Sequence, residues 1–284
     1  MNQIESYLFE TNALRICPES NPFWLTSGKI SPYFINTHFL YGSEQEASRF
    51  LTFIDENKEK RETLPQKIFE KVLNQYQTNE IYHHVIEDLV CFIKKNIPLS
   101  QIDAISGGER RDWFFSNLLA YLLEKPHISI FKGQDCYFSD ASFTSSKPIG
   151  SFKQAKILHV ADLITIASSY IRDWIPALNH LQADMKWSLA VVDRMQGGKE
   201  QIEKNHITSF SMIRIDQSLF QDALEKNVIT LSQFDLVSKF LENPDQTMRE
   251  FLITHPEFLE NSLHSDEKTV KRAKLCLDQN LYQL

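Results

Sequence analysis

Apolar residues recur along this chain at two different spacings, and the change from one to the other divides it. Over 3–15, Ile4, Leu8, Ala13 and Leu14 sit near helical spacing, which predicts a helix that Pro18, Asn21 and Pro22 then break. Phe23-Trp24-Leu25 and Tyr33-Phe34-Ile35 are short apolar runs on either side of Thr26-Ser27-Gly28-Lys29, the pattern of two short strands joined by a glycine turn. Ser43 with Glu46 forms a capping-box start for a helix over 43–55. Helical character continues over 65–77 and over 79–96, where Ile81, Val85, Leu89 and Phe92 share a face, and Pro98 ends it.

Beyond Pro98 short apolar runs alternate with helices. Strands are predicted at 102–106, 127–131, 156–161 and 187–192. A loop at 107–111 leads to a helix running from Asp112, a candidate N-cap, to Glu124. Residues 133–151 are rich in Gly, Ser, Thr, Asp and Pro and read as a long exposed loop. After Thr165 to Ser169 the chain turns into a helix from about Ser169 to Leu181. Strand, loop and helix repeated in this way mean parallel βαβ units, an α/β fold. Ligands of such sheets bind outside the carboxyl ends of the strands, so the loops to examine are 107–112, 161–169 and 193–199.

The tail over 217–284 is helical by periodicity, with Ser232 as a candidate cap and breaks at Asn243-Pro244 and His255-Pro256. All eight glycines lie at or before residue 198, which sharpens the contrast between a loop-bearing α/β region and a helical tail. The division expected is a core over 1–215, carrying a helical insertion at about 56–100, and an extension over 216–284.

Apolar residues make up 42% and charged residues 24%, the composition of a globular protein rather than a disordered one. The net charge of −7 has the wrong sign for general nucleic-acid binding. Cys17, Cys91, Cys136 and Cys276 show neither a CxxC pair nor a metal-ligand spacing, and read as reduced thiols. No apolar run is long enough to span a bilayer, and the N-terminus lacks a secretory pattern. A cytoplasmic protein with no membrane partner is expected.

The segment Leu158-His159-Val160-Ala161-Asp162-Leu163-Ile164-Thr165-Ile166-Ala167-Ser168-Ser169 carries the first candidate chemistry. A buried strand ends in a carboxylate, which accepts hydrogen bonds from hydroxyls. Small and hydroxylated residues follow at a helix start, where N–H groups suit a phosphate monoester. By spacing alone a plain strand–turn–helix with an N-cap is the simpler reading.

This segment resembles the phosphoribosyl-pyrophosphate motif of the phosphoribosyltransferases, with Ala161 in place of the first of two acids and Ala167 in place of a glycine. Leu25-Thr26-Ser27-Gly28-Lys29-Ile30-Ser31-Pro32-Tyr33-Phe34-Ile35-Asn36 resembles a signature of orotate phosphoribosyltransferases. Val192-Asp193-Arg194-Met195-Gln196-Gly197-Gly198 is similar to the strand end that carries the family's orotate-binding arginine, and Ser106-Gly107-Gly108-Glu109-Arg110-Arg111-Asp112 stands at the pyrophosphate loop. All four occur in family order. The resemblance implies the type I phosphoribosyltransferase fold: a mainly parallel sheet flanked by helices, an N-terminal hood, and here a helical C-terminal extension. It implies transfer of a phosphoribosyl group from 5-phosphoribosyl 1-pyrophosphate to orotate in a homodimer with Mg²⁺. Gly108, Arg110 and Arg111 would then hold pyrophosphate, Arg111 standing where the family's lysine reaches the neighbouring subunit's pyrophosphate. Asp162 would hold the ribose hydroxyls, and Thr165, Ser168 and Ser169 the 5′-phosphate. Lys29, Phe34 and Arg194 would hold orotate, and Lys132 is the obvious cation in the segment matching the family's mobile loop. No metal ligand is assigned. Two other readings stay open: the same fold acting on another base, and a non-catalytic nucleotide-binding or regulatory module.

Overall fold

In the computed structural model, residues 1–18 and 20–283 are described. The elements in chain order begin with helix α1 (Gln3–Glu10) and strands β1 (Leu14–Ile16), β2 (Phe23–Trp24), β3 (Ile30–Ser31) and β4 (Tyr33–Ile35). Helices α2 (Glu44–Asn57), α3 (Leu64–Thr78) and α4 (Glu80–Asn96) follow, then β5 (Ala104–Gly108), α5 (Trp113–Leu122), β6 (His127–Ile130), β7 (Cys136–Ser139) and β8 (Ser146–Pro148). Next come β9 (Lys156–Ile164), α6 (Ile175–His180), β10 (Asp184–Asp193), α7 (Gly198–Glu203) and β11 (Thr208–Arg214). The tail holds α8 (Gln217–Glu225), α9 (Leu231–Glu242), α10 (Pro244–Thr254), α11 (Pro256–Leu263) and α12 (Glu267–Asp278).

These elements form two compact units, a larger one of residues 2–12 and 37–215 and a smaller one of Met1, 13–36 and 216–284. The larger unit is built on a seven-stranded sheet in the order β11-β10-β9-β5-β6-β7-β8. The strands from β11 to β6 run parallel, whereas β7 and β8 are antiparallel. β9 and β10 read as near-continuous apolar runs because helices cover both faces of a parallel sheet. α3 and α4, the insertion at 56–100, pack on α5: the Phe69 ring lies 4.9 Å from that of Tyr121, and the Tyr82 hydroxyl donates to the Phe114 carbonyl. The Ser43 hydroxyl accepts from the Glu46 N–H and starts α2, as the sequence pattern predicts.

In the smaller unit β1 pairs antiparallel with β4, and β2 with β3. The tail helices supply the core that these short strands lack. Tyr33 is fully buried between Phe220, at 5.7 Å, and Phe240, at 5.6 Å edge-on. Trp24 stacks on Phe258 and donates its indole N–H to the Ser262 hydroxyl at 2.9 Å.

Four expectations are corrected. The helix predicted to Leu14 and beyond stops at Glu10, because Asn12 takes a left-handed φ of 59° and turns the chain into β1. Phe23–Trp24 pairs with Ile30–Ser31, not with Tyr33–Ile35, whose partner is β1. The exposed loop predicted over 133–151 contains the β7–β8 hairpin, whose turn is tied by Asp140 accepting from Ser142 and Thr144. The helix predicted from about Ser169 to Leu181 is present over 168–180, with a π-helical turn at Tyr170–Trp174. α9 is capped by Thr230, in a box with Gln233, rather than by Ser232. Among the described residues no helix is long and apolar enough to cross a membrane, and all four cysteines are free thiols.

Candidate functional site

At the carboxyl edge of the larger unit's sheet, the loops after β5, β6 and β9 enclose a cavity of about 390 Å³. Its lining includes Glu109, Arg110, Arg111 and Asp112 from the first loop, Lys132 from the second, and the stretch from Ala161 to Tyr170 with Trp174 from the third. The loops predicted at 107–112 and 161–169 therefore come together, as strand order β9-β5-β6 requires. The sites expected at Arg110, Arg111, Lys132, Asp162, Thr165, Ser168 and Ser169 all face this one space.

The 107–112 turn is packed from below. Gly107 has no room for a side chain, since a Cβ would lie 2.1 Å from the Ser116 hydroxyl, and its carbonyl accepts the Trp113 indole N–H at 2.9 Å. Gly108 faces Trp174, and its N–H donates to Asp112 Oδ2 at 2.9 Å. The Glu109–Arg110 peptide is cis. Arg110 pairs with Asp55 of α2, and both arginines bear on His38, whose imidazole is pushed down to about 3 by burial first, then by the Arg111 and Arg110 charges. Glu109 Oε2 accepts the Lys132 N–H at 2.9 Å, which ties the loop after β6 to the loop after β5.

Asp112 corrects the sequence reading. Its backbone is already helical (φ −60°, ψ −31°), and its carboxylate caps nothing in α5. Oδ1 instead accepts the N–H of Asp162 at 3.0 Å, while Oδ2 serves Gly108. His159, fully buried in β9, brings Nε2 to 3.6 Å from Asp112 Oδ2 and contacts the Ser106 hydroxyl through Nδ1 at 2.9 Å. Burial, and then the neighbouring Asp112 charge, hold the Asp162 carboxyl well above the usual carboxylate range, with Arg111 pulling the other way. Tyr170 closes the site from the helix side and shares a 2.7 Å hydrogen bond with Ser188. The phosphate-motif turn contains Ala167 at φ 57°, a left-handed position that glycine adopts at no cost.

Arg194 follows β10 at the same sheet edge. Its N–H donates to the Ile164 carbonyl at 2.9 Å, and Gly198 packs so closely on Ile164 and Thr165 that a Cβ would lie 2.4 Å from the Ile164 side chain. Arg194 itself does not line the cavity described. Lys29 and Phe34 belong to the smaller unit. There the Lys29 ammonium meets both Asp245 oxygens, at 2.7 and 2.8 Å. Phe34 lies against Phe23 in a separate cavity of about 840 Å³, lined also by Trp24, Phe258 and Arg272.

Sequence reasoning missed His38, His159, Tyr170 and Trp174. Only His159 left a signal, as a lone imidazole inside an otherwise apolar strand. Magnesium, expected from the resemblance, finds no ready cage: no group of three or more His, Cys, Asp or Glu side chains converges among the described residues.

No protein-family model matches the chain, and no curated protein matches its sequence. Solved structures do match. UMP synthase of Leishmania donovani superposes with a TM-score of 0.58 at 15% identity, over 84% of this chain and 42% of that one. The orotate phosphoribosyltransferase of Francisella tularensis gives 0.54 at 14% identity, over 85% and 98%. That of Aeropyrum pernix gives 0.50 at 17%, over 80% and 100%. This chain thus spans less than half of the first protein and nearly the whole length of the other two. The likeness establishes the fold. The chain has the type I phosphoribosyltransferase fold, a mainly parallel sheet flanked by helices, with a helical C-terminal extension.

Proposed function

We propose that this chain transfers a phosphoribosyl group from 5-phosphoribosyl 1-pyrophosphate to orotate, giving orotidine 5′-monophosphate and pyrophosphate. The observation that carries the proposal is the convergence of Arg110, Arg111, Lys132, Asp162 and the Thr165–Ser169 turn on one cavity beyond the parallel strands. A donor of this kind presents a pyrophosphate, two ribose hydroxyls and a phosphate monoester. The cavity offers cations for the first, a carboxyl for the second and a hydroxyl-bearing helix start for the third.

In the reaction a ring nitrogen of orotate attacks C1 of the ribose as the C1–O bond to pyrophosphate breaks, and the proton of that ring N–H is released to water. Positive charge develops on the ribose and negative charge on the leaving group. Arg110, Arg111 and Lys132 stabilise the departing pyrophosphate electrostatically, which is where most of the rate would come from. Asp162 holds the two ribose hydroxyls, accepting hydrogen bonds from them. Magnesium would be held here mainly by the donor's phosphates and water rather than by a protein cage, and would add positive charge against the leaving pyrophosphate. Arg194 speaks for an acidic acceptor, since a guanidinium matches a carboxylate with two parallel hydrogen bonds. A homodimer and a cytoplasmic setting belong to the same proposal.

Arg194→Ala tests the acceptor. The orotate KM should rise about 10- to 100-fold, the loss of one charge-assisted pair, with the donor KM unchanged. An unchanged orotate KM would remove Arg194 from that role. One observation favours a second reading, a nucleotide-binding module without turnover. The Lys29 side chain, which the resemblance gives to the acceptor, is held by Asp245 of α10.

A further inference from the structure

A carboxylate only 7% exposed, sitting at a helix start that it does not cap, needs another reason to be there. Burying a charge costs several kcal/mol unless hydrogen bonds replace its water. Asp112 meets that cost in one way: each of its oxygens accepts a backbone N–H, and the two N–H groups belong to different strands. Oδ2 takes Gly108, the last residue of β5, and Oδ1 takes Asp162, near the end of β9. β5 and β9 pair with each other only as far as Ser106 and His159; beyond that point each is held by its outer neighbour, β5 by β6 and β9 by β10. Asp112 bridges the two strands where the ladder between them stops.

We propose that Asp112 is a positioning residue of the cavity: its carboxylate clips the 107–112 turn to the end of β9 and so sets where the Asp162 carboxyl and the Arg110–Arg111 pair stand. His159 lies next to the clip, with Nε2 3.6 Å from Oδ2, beyond hydrogen-bond distance, and its other ring nitrogen on Ser106. The arrangement is selective about the residue. Asparagine presents one oxygen and one NH₂, so one of the two N–H groups would face a donor. Glutamate is longer by a methylene in a turn that Ser116 and Trp174 already fill. Only the identity of the ligand rests on the phosphoribosyl reading; the clip does not.

The test has two parts, so that the clip and the ligand assignment fail separately. First, the Asp162 carboxyl is titrated by ¹³C NMR in the wild type, Asp112→Asn and Asp112→Ala. The titratable and charged groups facing the carboxyl are Asp112 and Arg111 from the loop, His159 from β9 and Tyr170 from the helix, with Glu109 and Lys132 on the same cavity. Removing the Asp112 charge should lower the Asp162 midpoint by roughly one pH unit or more, the size of a like-charge effect at close range. The Asp162 and Gly108 amide resonances should move in both variants. If Asp112→Ala does not fold, Asp112→Asn, which keeps the shape, decides. An unmoved midpoint with unmoved amides would overturn the clip. Second, ribose 5-phosphate and 5-phosphoribosyl 1-pyrophosphate are titrated calorimetrically into each protein. Weakening of about tenfold or more in both variants, with the fold intact by circular dichroism, supports the positioning role, one lost charge-assisted hydrogen bond being enough for that. Equal affinity in wild type and variants would overturn it. Moved NMR signals with no binding of either compound by the wild type would leave the clip standing and overturn the phosphoribosyl reading instead.

Discussion

Gly108 lies against the indole of Trp174 so closely that a Cβ on it would sit 2.3 Å from the ring. Gly108 ends β5 just before the loop that forms one wall of the cavity, and Trp174 lines another wall from the π-helical turn after β9. Gly108→Ala should therefore push the walls apart and destabilise the fold by about 1–3 kcal/mol, the usual range for overpacking. A urea titration measures this directly. A change below about 0.5 kcal/mol would mean that Trp174 gives way freely, and that the cavity is looser than described.

Ala167 holds a left-handed φ of 57° in the turn that precedes the helix. A Cβ in that region costs about 1 kcal/mol, which glycine avoids. Ala167→Gly should accordingly raise stability by up to about 1 kcal/mol, seen as a higher Tm. A lower Tm would show that the alanine methyl, which is buried, contributes more by packing than its backbone costs.

The fold was legible where one signal acted alone. Near-continuous apolar runs in β9 and β10, and the capping pattern at Ser43, each specified one element without competition. Misreadings fell where two signals competed. Ala13 and Leu14 continue a helical spacing, but Asn12 before them prefers the left-handed turn that ends it. Gly, Ser and Asp at 133–142 mark a loop by composition, yet Cys136 to Ser139 can pair with β6 and do. The site was half legible for a similar reason. Residues whose own chemistry faces the cavity could be picked out by type and order. Asp112, Trp174 and Tyr170 act through partners far away in sequence, and no local pattern encodes that.

The buried carboxyl of Asp162 makes stability depend on pH with a definite sign. Its folded value is pushed up to about 8, mainly by burial, against about 4 for an unfolded aspartate. Between those values the folded state holds the proton and the unfolded state does not, so stability falls as the pH rises through this window. His38 acts in the opposite direction at lower pH. With its folded value pushed down to about 3, it favours the folded state above about 6.5 and loses that contribution as the pH falls. Asp162→Asn, neutral throughout, should gain stability relative to the wild type as the pH rises from about 4 to about 8. Parallel curves for the two proteins in urea unfolding would show that Asp162 ionises normally.

The tail helices are predicted to be part of the fold of the 13–36 strands rather than an ornament on it. Tyr33 is held between Phe220 and Phe240, so Tyr33→Ala should cost about 3–5 kcal/mol, as for other large buried aromatics. Asp245→Ala, which frees the exposed Lys29, should cost less than about 1 kcal/mol. Comparable losses from both substitutions, measured by thermal and urea unfolding, would contradict this division between packing and surface charge.

The central claim is phosphoribosyl transfer at the cavity beyond β5, β6 and β9. The measurement that tests it most directly is pyrophosphate release from 5-phosphoribosyl 1-pyrophosphate by the wild-type chain, with Mg²⁺ present and a panel of pyrimidine and purine bases as acceptors. The account predicts release with orotate, none with neutral purines, and loss of most of the rate in Arg111→Ala. Release with another base and not with orotate would contradict the acceptor assignment. No release with any base would contradict the transfer itself.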